Sequence, residues 1–189
     1  MEKSDLQKHI AETAYNIGYG AKKHFATHDI VAKVPGIIGF ISIAIGIFAL
    51  FIESLTSKHL SATFIVLGVA SLYITKYDHK KEEYADIGRD LTNLFNQLRA
   101  LYLNVQSSDN ENLTEYENRL TDIQTLFNKK CLSDQVLFSD WYAHYKFFWQ
   151  QQIDWIDQEK NFSFLRDKIP LSFSISAAAV ASAAAYFAL

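Results

Sequence analysis

The stretch KVPGIIGFISIAIGIFALFIESLTSKHLSATFIVLGVASLYITKYD, residues 33–78, limits what this chain can fold into. Val34 to Ile52 carries no charged side chain. As a helix at about 1.5 Å per residue it measures roughly 28 Å, close to the ~30 Å hydrocarbon thickness of a bilayer. Lipid offers a backbone no hydrogen-bond partners, so a spanning segment of this kind must be helical. The second run, Leu60 to Ile74, is shorter. It reaches across if Lys76 snorkels to the headgroups and Tyr77 sits in the interface. The link Glu53 to His59 allows only a tight turn, which predicts an antiparallel transmembrane hairpin over 34–77. A buried hairpin in a soluble bundle is the alternative, and the length of the first run weighs against it.

The rest of the chain reads as helix. With two prolines, seven glycines and no alternating β-branched runs, an all-α fold is expected. Residues 1–33 form an amphipathic juxtamembrane helix, with Leu6, Ile10, Ala14, Ile17 and Ala21 on one face and a bend expected at Gly18 or Gly20. Pro35 suits the first turn of a separate spanning helix. Residues 78–168 form a cytoplasmic helical region. Its first helix carries the stripe Ile87, Leu91, Leu94, Phe95, Leu98, Leu101, Tyr102 and Val105. A polar loop at 106–112 follows. Asn112 and Glu115 resemble a capping box for the next helix, and Ser133 or Asp134 caps a last one over about 134–168. Residues 169–189 carry no charge from Pro170 onward and predict a third, C-terminal transmembrane helix. The alternative is a surface or packing helix.

Charge sets the orientation. Lys22, Lys23 and Lys33 precede the hairpin; Lys76, Lys80 and Lys81 follow it; the turn holds only Lys58. Positive residues stay inside, so the amino end and the helical region are cytoplasmic. Tyr19, Lys22, Lys23, Phe25, Lys33, Lys76 and Tyr77 supply the basic and aromatic mixture of a membrane interface. The net charge of −3, without a basic stripe, argues against nucleic acid as a partner. The lone Cys131 fits a reducing compartment and reads as an inert thiol, although Lys129 and Lys130 beside it favour a lowered pKa.

Small residues recur on the apolar runs: Gly39, Ser42, Gly46 and Ala49 on the first, Gly68 and Ser71 on the second, Ser174, Ala178 and Ser182 on the third. In lipid such faces let helices approach closely. Part serves the hairpin itself; the remainder suits contacts between subunits, so a homo-oligomer in the bilayer is expected. Glu53, at the turn, reads as solvated rather than functional. His24 and His28 lack the further ligands a metal needs and read as interface histidines, with no metal expected. Trp141, Tyr145, Phe148 and Trp155, widened by Tyr142 and Trp149, read as one packing face of a bundle; base stacking of a nucleotide would want a phosphate loop that is absent. No G-x-S-x-G, G-x-x-x-x-G-K or H-E-x-x-H occurs, so no catalytic residue, no cofactor and no enzyme activity are expected.

The order of elements carries a family resemblance. The basic-aromatic YGAKKHF (19–25) leads into a tight two-span hairpin, and LFNQLRALYLNV (94–105) follows in the cytoplasmic helices. This resembles the SLATT family, the SMODS- and SLOG-associating two-transmembrane effectors of bacterial conflict systems, over roughly residues 5–165. The resemblance implies a transmembrane hairpin with a helical cytoplasmic bundle. It also implies an antiphage effector of the bacterial inner membrane, triggered by a nucleotide second messenger or a sensor protein encoded nearby, that oligomerises, permeabilises the membrane and kills the infected cell. A membrane-anchored helical scaffold or signalling module without pore activity is the alternative.

Overall fold

A computed structural model describes residues 2–109 and 112–188. Asn110 and Glu111, inside the loop read at 106–112, and Leu189, the last residue of the third apolar run, lie outside the described residues. Among the described residues there are helices and turns and no strand, which agrees with the all-α reading.

The first helix is the main departure from that reading. α1 runs unbroken from Lys3 to Phe48, 46 residues and ~69 Å at 1.5 Å per residue. It contains both Gly18 and Gly20, and Pro35 lies inside it rather than at the start of a second helix. A proline in a helix interior keeps a helical φ and removes one backbone hydrogen bond, at a cost of ~3 kcal/mol. Pro35 lies just past Val31, the last buried residue of α1, on the part of the helix that projects from the bundle. Gly18 serves close packing: a Cβ there would stand 2.8 Å from the Phe95 ring and 2.9 Å from Phe147.

After α1 the chain turns through a short 3-10 segment, Glu53–Thr56, into α2 (Lys58–Thr75). Ser57 caps α2 by accepting from the Leu60 N–H at 3.3 Å. A second 3-10 turn, Asp78–Lys80, separates α2 from α3 (Lys81–Ser107). The apolar stripe expected on α3 is its buried face from Leu91 to Val105. α4 spans Thr114–Lys130, with Glu115 and Glu117 in its first turn and Lys129 and Lys130 in its last, both complementary to the helix dipole. Asn112 accepts from the Thr114 N–H at 3.1 Å.

The single helix expected over 134–168 is three: α5 (Ser139–Gln150), α6 (Asp154–Lys160) and α7 (Phe164–Asp167). Phe138 stands left-handed at φ 68° as the residue that opens α5, the chain leaves α5 at Gln151 in an extended conformation, and Asn161 at φ 51° ends α6. The Asn161 N–H still reaches the Asp157 carbonyl at 2.8 Å, and the Asp157 carboxylate takes the Phe162 N–H at 2.6 Å. The breaks bring Trp155 inward against Phe95 and Tyr102, with ring centres 5.8 and 5.1 Å apart. They also divide the aromatic face read from the sequence. Phe147, Phe148 and Trp155 are buried, whereas Tyr145 is 51% and Trp149 60% exposed. α8 spans Leu171–Ala188.

α1 is the central element, packed along α3 and flanked by α4, α5 and α6. Its face from Leu6 to Ala21 and the buried faces of these helices make the main core. A smaller cluster of Val31, Tyr77, Tyr84 and Val136 closes that core where α1 leaves it and α2 returns.

Candidate functional site

Beyond Val31 and before Tyr77 the protein changes character. Phe40, Ile43 and Phe51 on the outgoing arm and Ile65, Val69 and Leu72 on the returning one are all more than 60% exposed. No residue of α2 is buried. The projecting part of α1, residues 32–48, and α2 measure ~25 and ~27 Å at 1.5 Å per residue, the scale of a bilayer core. Water does not tolerate an apolar surface this continuous on a monomer, and lipid does. α1 and α2 both meet the length and apolarity of a membrane span, while α8 carries a shorter apolar stretch over Leu171–Ser182.

The glycines on these arms have open space beside them, while Ser42, Ala49 and Ser71 are half-buried. A Cβ built on Gly39, Gly46 or Gly68 meets nothing within 4 Å. Ser42, Ala49 and Ser71 belong to the same projecting segments, and Ser174, Ala178 and Ser182 are exposed on α8. Ser182 returns its hydroxyl to the Ala178 carbonyl at 2.9 Å, so that group is satisfied within its own helix.

The base of the hairpin is polar and tied. Residues 132–136 form a collar across α1 and the start of α3. His24, only 2% exposed, accepts the Leu132 N–H on Nε2 at 3.2 Å, and its Nδ1 donates to the Gly20 carbonyl at 2.8 Å. That pair of partners assigns the neutral ring with the proton on Nδ1. Burial lowers its pKa, and the Lys23 charge adds to this. Thr27 donates to the Gln135 side chain at 2.5 Å, and Gln135 in turn donates to the Leu132 carbonyl at 2.9 Å. Tyr84 donates to the Asp134 carbonyl at 2.6 Å, while the Tyr77 hydroxyl donates to the Asp134 carboxylate at 3.4 Å. Asp134 therefore ties the collar to α3 instead of capping a helix. Beside the collar, Asp29 takes Lys33 at 2.8 Å and Lys146 of α5 at 2.7 Å. Burial pushes the Asp29 carboxyl upward, but the two ammonium groups outweigh it and hold the group below the ordinary carboxylate range.

The basic and aromatic residues read as an interface belt divide along α1. Lys33 stands at the emergence point. Tyr19, Lys22, Lys23 and Phe25 sit ~12–21 Å further back along the unbroken helix. Tyr19 packs on Phe147 and donates to the Asp140 carbonyl at 3.2 Å; Lys23 pairs with the Asp140 carboxylate at 2.8 Å. Lys22 is half-buried, and burial followed by the Lys146 charge lowers its pKa. Phe25 lies over Gly88, where a Cβ would stand 2.9 Å from its ring. On the returning arm Lys76 lies 6.0 Å from the centre of the Tyr77 ring, and Tyr77 itself is 6% exposed, in the smaller core cluster. His24 is likewise a core residue, not an interface histidine. Partial desolvation raises the thiol pKa of the surface cysteine Cys131, which agrees with an inert thiol rather than one lowered by Lys129 and Lys130. Sequence reasoning took Asp134 for a helix cap and did not find Gln135 or Lys146, because their partners on α1, α3 and the turn before α3 lie 50 to 117 residues away. The available signal was the continuation of the α1 stripe through His24, Thr27 and Val31, which implies a covering element at that height.

A family model, SMODS and SLOG-associating 2TM effector domain 6, matches residues 1–177. The chain belongs to this SLATT family. No curated protein and no solved structure matches it. The match extends from α1 through the bundle into the first turns of α8. Membership in a family of two-transmembrane effector domains suggests a membrane effector of conflict systems, associated with the membrane through this hairpin.

Proposed function

We propose that this SLATT protein is a non-enzymatic effector of the bacterial inner membrane that oligomerises and permeabilises it on a signal received by its cytoplasmic bundle. The observation that carries the reading is the open glycine positions of the hairpin, where Gly39, Gly46 and Gly68 have open space at the Cβ position. The hairpin does not use these positions for its own packing, so they are free for neighbouring subunits, which in lipid associate through such close-approach surfaces. The lysines at both hairpin ends and the single Lys58 at its tip support a bundle on the cytoplasmic side. In this reading α8, charge-free and exposed from Leu171 to Ser182, enters the bilayer as a third span and adds Ser174, Ala178 and Ser182 to the contacts. The signal is a nucleotide second messenger or a sensor protein, as the family resemblance implies.

The test is membrane integrity in bacteria expressing the chain, read by dye entry and a potential-sensitive fluorophore, with and without neighbouring genes. Depolarisation that is lost on Gly39→Leu, Gly46→Leu or Gly68→Leu, with insertion retained, is the expected result. Toxicity unchanged by all three substitutions removes the packing argument. An intact membrane under every condition, with the hairpin inserted, points to an anchored scaffold.

A further inference from the structure

The hairpin is not the only apolar surface left open. Leu137, Phe138, Tyr145 and Trp149 are each more than half exposed, and all belong to α5 or its entry. Trp141 joins them, its ring 5.1 Å from Phe138. The chemistry of this face differs from that of the arms. The arms present Ile, Val, Leu and Phe; α5 presents Trp and Tyr, whose rings are apolar and whose edges carry a polar N–H or O–H. Such side chains concentrate at the headgroup level of membranes.

Two contacts tie α5 to its neighbours, one to the hairpin base and one to α8. Asp29 joins Lys146 of α5 to Lys33, the last cation of α1 before the apolar arm. At the other side, the charge-free α8 starts on this surface: Trp141 Nε1 donates to Ser172 Oγ at 2.8 Å, and its ring meets Phe173 edge-on with centres 5.5 Å apart. Between them runs a groove of about 380 Å³ lined by Trp141, Tyr145, Trp149, Lys168, Pro170 and Phe173. An apolar groove with an ammonium group at its edge fits a lipid, with acyl carbons inside and the headgroup phosphate on the lysine.

We propose that α5 is an interfacial helix, its Trp141–Tyr145–Trp149 face and the adjoining groove seated in the headgroup layer of the same leaflet that the hairpin enters. This inference rests on the membrane reading of the hairpin. Its consequence is that the bundle lies against the membrane on α5, so a signal that moves α5 relative to α1 reaches the hairpin base through Lys146 and Asp29.

The test uses the full chain in vesicles of phosphatidylcholine and phosphatidylglycerol with brominated phosphatidylcholines as quenchers. A chain keeping Trp149 alone (Trp141→Phe, Trp155→Phe) reports on the face. A second, Phe40→Trp with Trp141→Phe, Trp149→Phe and Trp155→Phe, reports on the arm. Trp149 is expected to lose about half its emission to bromine high in the acyl chains, much less to bromine near their ends, and to be shielded from aqueous iodide, as headgroup depth requires. Quenching of Trp149 by iodide and not by bromine, with the Phe40→Trp probe quenched at the bilayer centre, overturns the inference and leaves the hairpin reading standing. Failure of the Phe40→Trp probe to meet bromine overturns both. Shielding of Trp149 from both quenchers assigns the face to a second copy of the chain and also overturns the inference. Tyr145→Cys with Cys131→Ser, labelled with a bimane, repeats the reading at an exposed site with every tryptophan, including the core Trp155, in place.

Discussion

Gly18 and Gly39 stand in the same helix with opposite surroundings. A Cβ on Gly18 enters the space of two rings, Phe95 and Phe147, both essentially buried and approached from different elements. Neither ring has room to yield, so overpacking at ~1–3 kcal/mol outweighs the ~1 kcal/mol that alanine returns in helix propensity. A Cβ on Gly39 meets nothing. Gly18→Ala is therefore expected to lower the thermal midpoint of the detergent-solubilised chain, followed by circular dichroism, and Gly39→Ala to leave it unchanged or raise it. Equal behaviour of the two variants would mean that α1 does not sit against Phe95 and Phe147 as described. The sequence marked Gly18 as a weak point in a helix. Nothing local in it distinguishes a bend from a close approach, since the rings that decide the matter come from 77 and 129 residues further on.

At the scale of elements, the connection most open to test is that between α1 and the collar at 132–136. His24 holds it with a neutral ring: Nδ1–H on the Gly20 carbonyl, Nε2 accepting from the Leu132 N–H. A second proton on Nε2 would set donor against donor. Burial keeps the folded-state pKa below the ordinary value of 6.5. The unfolded chain therefore binds the proton first as pH falls. Stability is flat above that value and declines from about pH 6.5 downward, until the depressed folded value is passed. Thermal midpoints in detergent should fall between pH 7 and pH 5, with a declining protection factor at the Leu132 amide. His24→Gln should shallow the slope and His144, also lowered by burial, retain the remainder. A Leu132 protection factor independent of pH would remove His24 from this role. The collar shows why some elements were legible and others not. The long amphipathic face of α3 fixes a helix by period alone. The 134–168 region lacks glycine and proline, so its breaks after Gln150 and at Asn161 follow from tertiary demand, the need to turn Trp155 and Ile156 into the core.

The whole molecule is a helical bundle and an apolar hairpin built on one shared helix, and this continuity has a mechanical consequence. α1 passes from the main core into the apolar arm as one continuous helix, so rotation or tilt of α1 in the bundle is carried to Gly39 and Gly46. The hairpin and its apolar limits were visible in the sequence because charge exclusion is local. The continuity of the helix through Pro35 was not, because that proline taken alone argues for a start. The orientation of this assembly admits a direct measurement. Cys131 is the one cysteine of the chain and is exposed on the bundle. Ser57 lies at the far tip, capping α2. A membrane-impermeant maleimide applied to bacteria with a permeabilised outer membrane should leave Cys131 unlabelled until the inner membrane is opened. In Cys131→Ser with Ser57→Cys the order should reverse, with labelling from outside before lysis. Lys58 as the single cation near that tip, against three at each hairpin end, is what sets this expectation. Labelling of Cys131 from outside would invert the protein and withdraw the cytoplasmic signal from its bundle. Labelling of both sites in intact cells would mean that the hairpin does not cross the membrane, and the open glycine faces would then need a partner in water.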